Sequence, residues 1–269
     1  METSNVLFAF GLTLFAGLST GVGSLMVLMS KKFNPRFLAA SLGFSAGVMI
    51  YVSLVEIFAK ARVSLAGVYG DRTGYWFTVL AFFAGMAFIT IIDRMVPSFE
   101  NPHEIANIHE MVDSPAHGER KLLRMGIFSA IAIGIHNFPE GLATFIGALT
   151  DPAMGVSIAV AIAIHNIPEG IAVALPVYYA TKSRGKAFLI SASSGFAEPV
   201  GAILGYVLLR NFLPDLAFGW VFAAVAGIMV YISLDELLPT AEEYGEHHIA
   251  MGGLIGGMFV RSLSLGRFV

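Results

Sequence analysis

Two hexapeptides, HNFPEG from His136 and HNIPEG from His165, differ at a single position and begin 29 residues apart. Each supplies an imidazole, an amide and a carboxylate, with Glu four residues after His. At about 100° per helical residue, Glu140 falls about 40° around from His136 and Asn137 about 100°. His136, Asn137 and Glu140 therefore share one face, as do His165, Asn166 and Glu169. Two such faces opposed would bring two imidazoles, two carboxylates and two amide oxygens into one small volume. Nitrogen and oxygen donors of this kind suit Zn²⁺, Fe²⁺, Mn²⁺, Co²⁺ or Cd²⁺, and the absence of thiolates argues against Cu⁺.

Between the two copies, TDPAMG reads as a tight turn around Asp151 and Pro152. At about 1.5 Å per residue, both motifs lie about 21–22 Å from that turn. Half of a bilayer core is about 15 Å, with headgroups beyond. The motifs are thus expected to meet near the membrane midplane on antiparallel neighbours. Pro139 and Pro168 lack an N–H, which would strand the carbonyls of Ile135 and Ile164 and predicts interrupted helices beside a polar cavity. Gly141 and Gly170 follow as candidate hinges. One segment later, Glu198 sits at the centre of another apolar run, with Ser191 and Ser194 on its face. Three midplane carboxylates repel one another in a low dielectric, and each buried charge is costly. A divalent cation resolves that conflict.

The elements that must hold these groups are membrane helices. Of 269 residues, 56% are hydrophobic and 13% charged, against roughly 25% charged in soluble domains. Apolar runs of about 20 residues, the length that spans a bilayer, recur along the chain. Eight spans are expected, at about 5–29, 37–58, 75–93, 123–149, 153–179, 187–209, 216–239 and 248–265. The first run lacks a basic flank and is too long for a signal peptide, so it reads as a span. The fold class is an all-α polytopic membrane protein, residues 1–269 forming one transmembrane domain. A polar segment, 97–121, carries His103, His109 and His117 and divides the spans into three and five.

The larger share of the 16 Lys and Arg residues lies on the side of that segment. By the positive-inside rule, the segment is cytoplasmic and both termini face outward. AGVMIYVSLVEI (46–57) and AGIMVYISLDEL (226–237) match at seven of twelve positions. They fall in spans 2 and 7, which run in opposite directions, and inverted repeats mark transporters. Gly17/Gly21 and Gly252/Gly256 fit close helix packing.

Several chemistries are excluded or left open. Net charge is −3, with no nucleic-acid footprint. No HExxH protease motif and no GxxxxGK[ST] nucleotide loop occurs, and where di-iron carboxylate enzymes use Glu-x-x-His the paired motifs place His four residues before Glu. A selective divalent-cation channel and a membrane di-metal enzyme remain as alternatives to a carrier.

HNFPEG and HNIPEG, within an eight-span chain with a His-containing loop after span 3, resemble the ZIP family of divalent-metal transporters, and the bacterial zinc-uptake branch in particular. AEPVG and VAGIMVYISLDELLP extend the resemblance over essentially the whole chain. It implies a 3+2+3 arrangement with spans 1–3 and 6–8 as inverted repeats, and a binuclear site. One ion would be held by His136, Glu140, His165 and Glu169. The other would involve Asn137, Asn166 and Glu198, with Glu140 and Glu169 bridging. Asn166 departs from relatives that are acidic there, which points to weaker binding at the second position. The implied activity is uptake of Zn²⁺ and related divalent metals across the cytoplasmic membrane. The expected partners are the metal ions and membrane lipid, with a homodimer as the candidate assembly and no prosthetic group.

Further carboxylates are candidates for the path. Glu56 lies near the outer end of span 2, and Asp235 and Glu236 near the inner end of span 7. The repeat pairs Glu56 with Glu236, one at each mouth. Asp93, beside Arg94, reads as interfacial. His103, His109 and His117 read as a solvated loop. His247 and His248, with Glu242, Glu243 and Glu246, form an acidic–histidine cluster on the cytoplasmic side.

Overall fold

The computed structural model describes residues 3–29, 34–95, 115–211 and 214–265. Eight helical passes run through them. They are α1 (Thr3–Met29), α2 (Pro35–Tyr69), α3 (Asp71–Met95), α4 (Pro115–Thr150), α5 (Pro152–Thr181), α6 in two halves (Arg184–Gly195 and Ala197–Asn211), α7 (Pro214–Ile232, Ser233–Leu237 and Leu238–Tyr244) and α8 (His247–Leu265). Among the described residues, seven of these helices are long and apolar enough to cross a membrane by length and composition.

Local chemistry sets the boundaries. Asn34 caps α2 by accepting from the Phe37 N–H, and Asp151 caps α5 by accepting from Ala153 and Met154. Pro35 and Pro152 follow these caps, where a missing N–H costs nothing. Lys182 closes α5 in the left-handed region at φ 50°.

The boundaries depart from expectation in three places. α2 continues past residue 58 to Tyr69, and Gly70 alone, at φ 80°, joins it to α3. Lys60 and Arg62 therefore sit on helix rather than loop, with the Arg62 guanidinium 5.6 Å from the Tyr75 ring centre. At its other end the segment expected at 97–121 is shortened, because α4 already begins at Pro115. Residues 97–114, with His103 and His109, lie outside the described residues, as does the side chain of His117. Finally, α4 and α5 run unbroken through Pro139 and Pro168, so the expected interruptions do not occur there. The break falls in α6 at Phe196, whose N–H reaches back to the carbonyls of Ser193 and Ser194.

The hairpin α4–α5 is the middle of the molecule: the most apolar window of α5 is 78% buried, against 28% for α3 and 22% for α8. Leu42, Met49, Ile158, Ile162, Phe222 and Met229 form the tightest part of the core. Leu18, Leu80, Phe83, Ile203 and Phe259 face outward, as lipid-facing positions should.

Helix contacts come in matched pairs around that hairpin. α1 packs on α5 as α6 packs on α4, and α2 packs on α8 as α7 packs on α3. The glycines show the match residue by residue. A Cβ on Gly47 would strike the Leu254 carbonyl, and one on Gly227 the Phe82 carbonyl. Gly257 meets the Phe44 carbonyl as Gly85 meets that of Ala224. Gly170 meets the Thr20 carbonyl as Gly141 meets that of Glu198. The repeated segments also share a distortion, a π-helical turn at Val52–Ile57 and at Ser233–Leu237. In each, a serine donates back up the helix, Ser53 to the Met49 carbonyl and Ser233 to that of Met229, at 2.7 Å. Such back-bonding bends helices.

On α8 the packing glycines are one residue from those expected. Gly253 and Gly257 press on the carbonyls of Ala40 and Phe44, while Gly252 and Gly256 face open space. Gly17 does pack as expected, against the Gly195 carbonyl.

Candidate metal centre

Six motif residues and Glu198 converge at the centre of the bundle. His136, Asn137, Glu140, His165, Asn166, Glu169 and Glu198 are all within 1% of complete burial. The imidazoles pair across the hairpin instead of along it. His165 Nε2 lies 3.2 Å from Glu140 Oε1, and His136 Nε2 lies 3.2 Å from Glu169 Oε1. The i,i+4 spacing places each His and Glu on a common face, and antiparallel packing then offers each a nearer partner on the other helix.

The amides obey the same symmetry. Asn137 Nδ2 donates to the Ser194 carbonyl at 3.3 Å, and Asn166 Nδ2 donates to the Ala16 carbonyl at 3.0 Å. Both amide oxygens are left buried without a hydrogen-bond partner. Asn166 Nδ2 also donates to Glu198 Oε1, the second carboxylate oxygen of which remains unpartnered. Glu198 lies in the first turn of the second half of α6, where the break at Phe196 leaves N–H groups and a favourable dipole for a carboxylate. In the matched position α1 has Thr20, whose hydroxyl is buried without a hydrogen-bond partner.

Close approach depends on the motif glycines. Gly141 and Gly170 let the backbones of α6 and α1 touch α4 and α5 one residue beyond Glu140 and Glu169. The backbone on either side of Pro168 is held by hydroxyls: Ser45 donates to the His165 carbonyl at 3.3 Å and Ser191 to the Gly170 carbonyl at 2.9 Å.

Buried polar atoms are rarely left without partners. Here Asn137 Oδ1, Asn166 Oδ1, Glu140 Oε2, Glu198 Oε2 and both oxygens of Glu169 accept no hydrogen bond within the protein. His136 Nε2, despite its distance to Glu169, lacks hydrogen-bond alignment, and His165 Nδ1 is also unpaired. All are nitrogen or oxygen donors of the kind that divalent transition metals accept. Among the described residues, no three His, Asp or Glu side chains already close on a single point tightly enough to hold an ion. The crosswise pairs would have to open to admit one.

Glu236 belongs to this centre. Its Oε2 lies 3.5 Å from His136 Nδ1, with 13% of its side chain exposed. From there a cavity of about 40 Å³ runs outward past Ile135, Tyr231, Asp235 and Asp93. Asp93, expected to be interfacial, thus lines the same opening.

Glu56 is placed differently. Arg261 of α8 grips it with Nε to Oε1 at 2.7 Å and Nη2 to Oε2 at 2.5 Å, and also donates to Ser157 Oγ at 2.7 Å. Arg261 was missed in the sequence, although an arginine inside an apolar span calls for a named partner. In the cluster around His247, His247 Nδ1 meets Glu242 at 2.6 Å, and Glu246 pairs with Arg36 at 3.0 Å.

A sequence model of the family described as ZIP zinc transporter matches residues 99–264. The chain is 62% identical over 267 residues to the zinc transporter ZupT of Chlorobaculum parvum, covering 99% of this chain and 100% of the relative. It is 64% identical over 263 residues to the zinc transporter ZupT of Chlorobium chlorochromatii, covering 98% of each. With the zinc transporter ZupT of Nitratidesulfovibrio vulgaris, identity is 58% over 276 residues and both chains are covered in full.

Proposed function

The chain belongs to the ZIP zinc-transporter family, and from that premise we propose that it is a carrier taking zinc into the cell through the paired HNxPEG centre. It is a multi-pass membrane transporter and not an enzyme. The observation that carries the finer reading is the set of buried, unpartnered nitrogen and oxygen donors on α4, α5 and α6. Such groups are costly unless a cation uses them.

In this reading His136, Glu140, His165 and Glu169 hold one ion. Asn137, Asn166 and Glu198 serve a second, with Glu140 and Glu169 bridging. Fe²⁺, Mn²⁺, Co²⁺ and Cd²⁺ suit the same donors. Binding exchanges each His–Glu contact for a metal contact and displaces protons. Asp235 and Glu236 then guide the ion from His136 through the cavity they line. The positive-inside bias favours the cytoplasm as the side of that cavity, with the 97–121 segment there, both termini outside and the protein in the cytoplasmic membrane. A dimer in lipid is the expected assembly.

The test is uptake of radioactive zinc into proteoliposomes holding purified protein, with Mn²⁺, Fe²⁺, Co²⁺ and Cd²⁺ as competitors. Saturable uptake that is abolished by Glu169→Gln is expected. Flux that rises linearly with zinc and never saturates would replace the carrier with a channel.

A further inference from the structure

We propose that Arg261 acts as an internal stand-in for the cargo cation: it holds Glu56 away from His165 and so latches shut the end of the pathway opposite the Glu236 cavity. This rests on the transport reading above and adds to it a positioning residue that controls access.

The argument starts from a mismatch within the repeat. Glu56 and Glu236 close matching π-helical turns. Glu236 reaches His136 and borders a cavity. Glu56, by the same symmetry, should reach His165, but its carboxylate is fully engaged by a bidentate guanidinium. The fork geometry of Arg matches a carboxylate in a way no other side chain can. Arg261 is 3% exposed and its third bond, to Ser157, ties α8 and α2 to α5.

The symmetric position carries no such cation. Gly257 matches Gly85 in packing. Four residues beyond Gly257 is Arg261, and four beyond Gly85 is Ile89, which lines the cavity by Glu236. One half therefore has a latch and the other an opening.

The two features lie on opposite sides of the centre. Ser157 stands on α5 between the Asp151 turn and His165. Ala132, which lines the cavity, stands on α4 on the far side of His136 from that turn. Because α4 and α5 are antiparallel, latch and cavity flank the centre from either end. Inverted repeats exchange conformations as a transporter alternates between its faces. In the opposite state Glu56 turns to His165, and Arg261 must release it. A divalent cation entering from that face competes for the same carboxylate with twice the charge.

The chain contains no cysteine, so a single introduced thiol is unambiguous. Ala161→Cys places one on α5 midway between Ser157 and His165, at a position 2% exposed. Ala132→Cys places one in the cavity. Each is treated with a membrane-impermeant methanethiosulfonate in full-length protein in proteoliposomes, alone and combined with Glu56→Gln/Arg261→Met, which removes both charges together and leaves no unpaired charge. Releasing the latch should raise the labelling rate at Ala161→Cys by on the order of tenfold and lower it at Ala132→Cys, a shift between two states. The charge exchange Glu56→Arg/Arg261→Glu should restore protection. Unchanged labelling at Ala161→Cys, a rise at both thiols together, or failure of the exchange to restore protection would each overturn the proposal. Zinc uptake is measured separately. Wild-type protein that labels as expected but takes up no zinc would defeat the transport reading and leave the latch standing.

Discussion

Glu140 pairs with His165 on the neighbouring helix, Nε2 to Oε1 at 3.2 Å, and not with His136 one turn away on its own. The matching pair, Glu169 with His136, has the same 3.2 Å separation. Each carboxylate is thus shared between helices, and a metal bound at the centre would link α4 to α5 through both pairs. A helix that shifts relative to its partner would change the coordination of the ion at the same time.

Removing one shared carboxylate should therefore damage transport more than a peripheral change would. Glu169→Gln, which preserves volume, is expected to lower zinc uptake by at least the roughly 10–100-fold typical of losing an outer-shell partner. Initial rates in proteoliposomes at matched protein content test this, and a rate within a factor of two of wild type would remove Glu169 from the ligand set.

Asn166 donates to both the Ala16 carbonyl and Glu198. Asn166→Asp would replace those donors with a carboxylate facing two acceptors. The metal-free protein should lose stability, while zinc should bind more tightly. A ligand at 100 times its Kd stabilises by about 2.7 kcal/mol, so the zinc-induced rise in Tm in detergent should be larger in the variant than in wild type. Equal rises would place Asn166 outside the second site.

The helix glycines predict opposite signs at packed and open positions. Gly170→Ala would drive a methyl into the Thr20 carbonyl, whereas Gly252→Ala meets nothing within 4 Å. Overpacking costs about 1–3 kcal/mol, so Gly170→Ala should lower Tm. On an open helix face, Ala is favoured over Gly by about 1 kcal/mol, so Gly252→Ala should hold or raise it. Thermal denaturation of both variants in one detergent compares them directly.

Acidification should weaken zinc uptake through affinity. Zinc binds imidazole and carboxylate only in their deprotonated forms, so binding releases protons, and lowering the pH opposes it. The zinc concentration for half-maximal uptake should rise by up to about tenfold per pH unit for each proton displaced. Measuring that concentration between pH 5.5 and 7.5 reads the proton count. A half-saturation concentration independent of pH would mean that the centre binds without proton release.

The sequence alone determined the class of the protein, its eight helical passes and the seven polar residues that come together, buried, in the middle of the bundle. Those features are written in local terms: long apolar runs, an i,i+4 spacing of His and Glu, and two hexapeptides equidistant from one turn. The repeat in α2 and α7 was legible for the same reason, since seven identities survive in twelve residues. Its continuation in α1 and α6 came only as what the family resemblance implied, because Thr20 answers to Glu198 and residue identities do not carry the match that backbone contacts show. The prolines were misleading for a physical reason too. Ser45 and Ser191 donate to the carbonyls of His165 and Gly170 on either side of Pro168, and both hairpin helices lie buried in the bundle, where packing holds a helix that would break in isolation. Which imidazole meets which carboxylate, that Glu236 reaches the centre while Glu56 is gripped by Arg261, and which face of α8 packs were all decided by tertiary structure. Each depends on the rotation of one helix against another, and a single residue of rotation, about 100°, separates Gly252 from Gly253 and open space from contact.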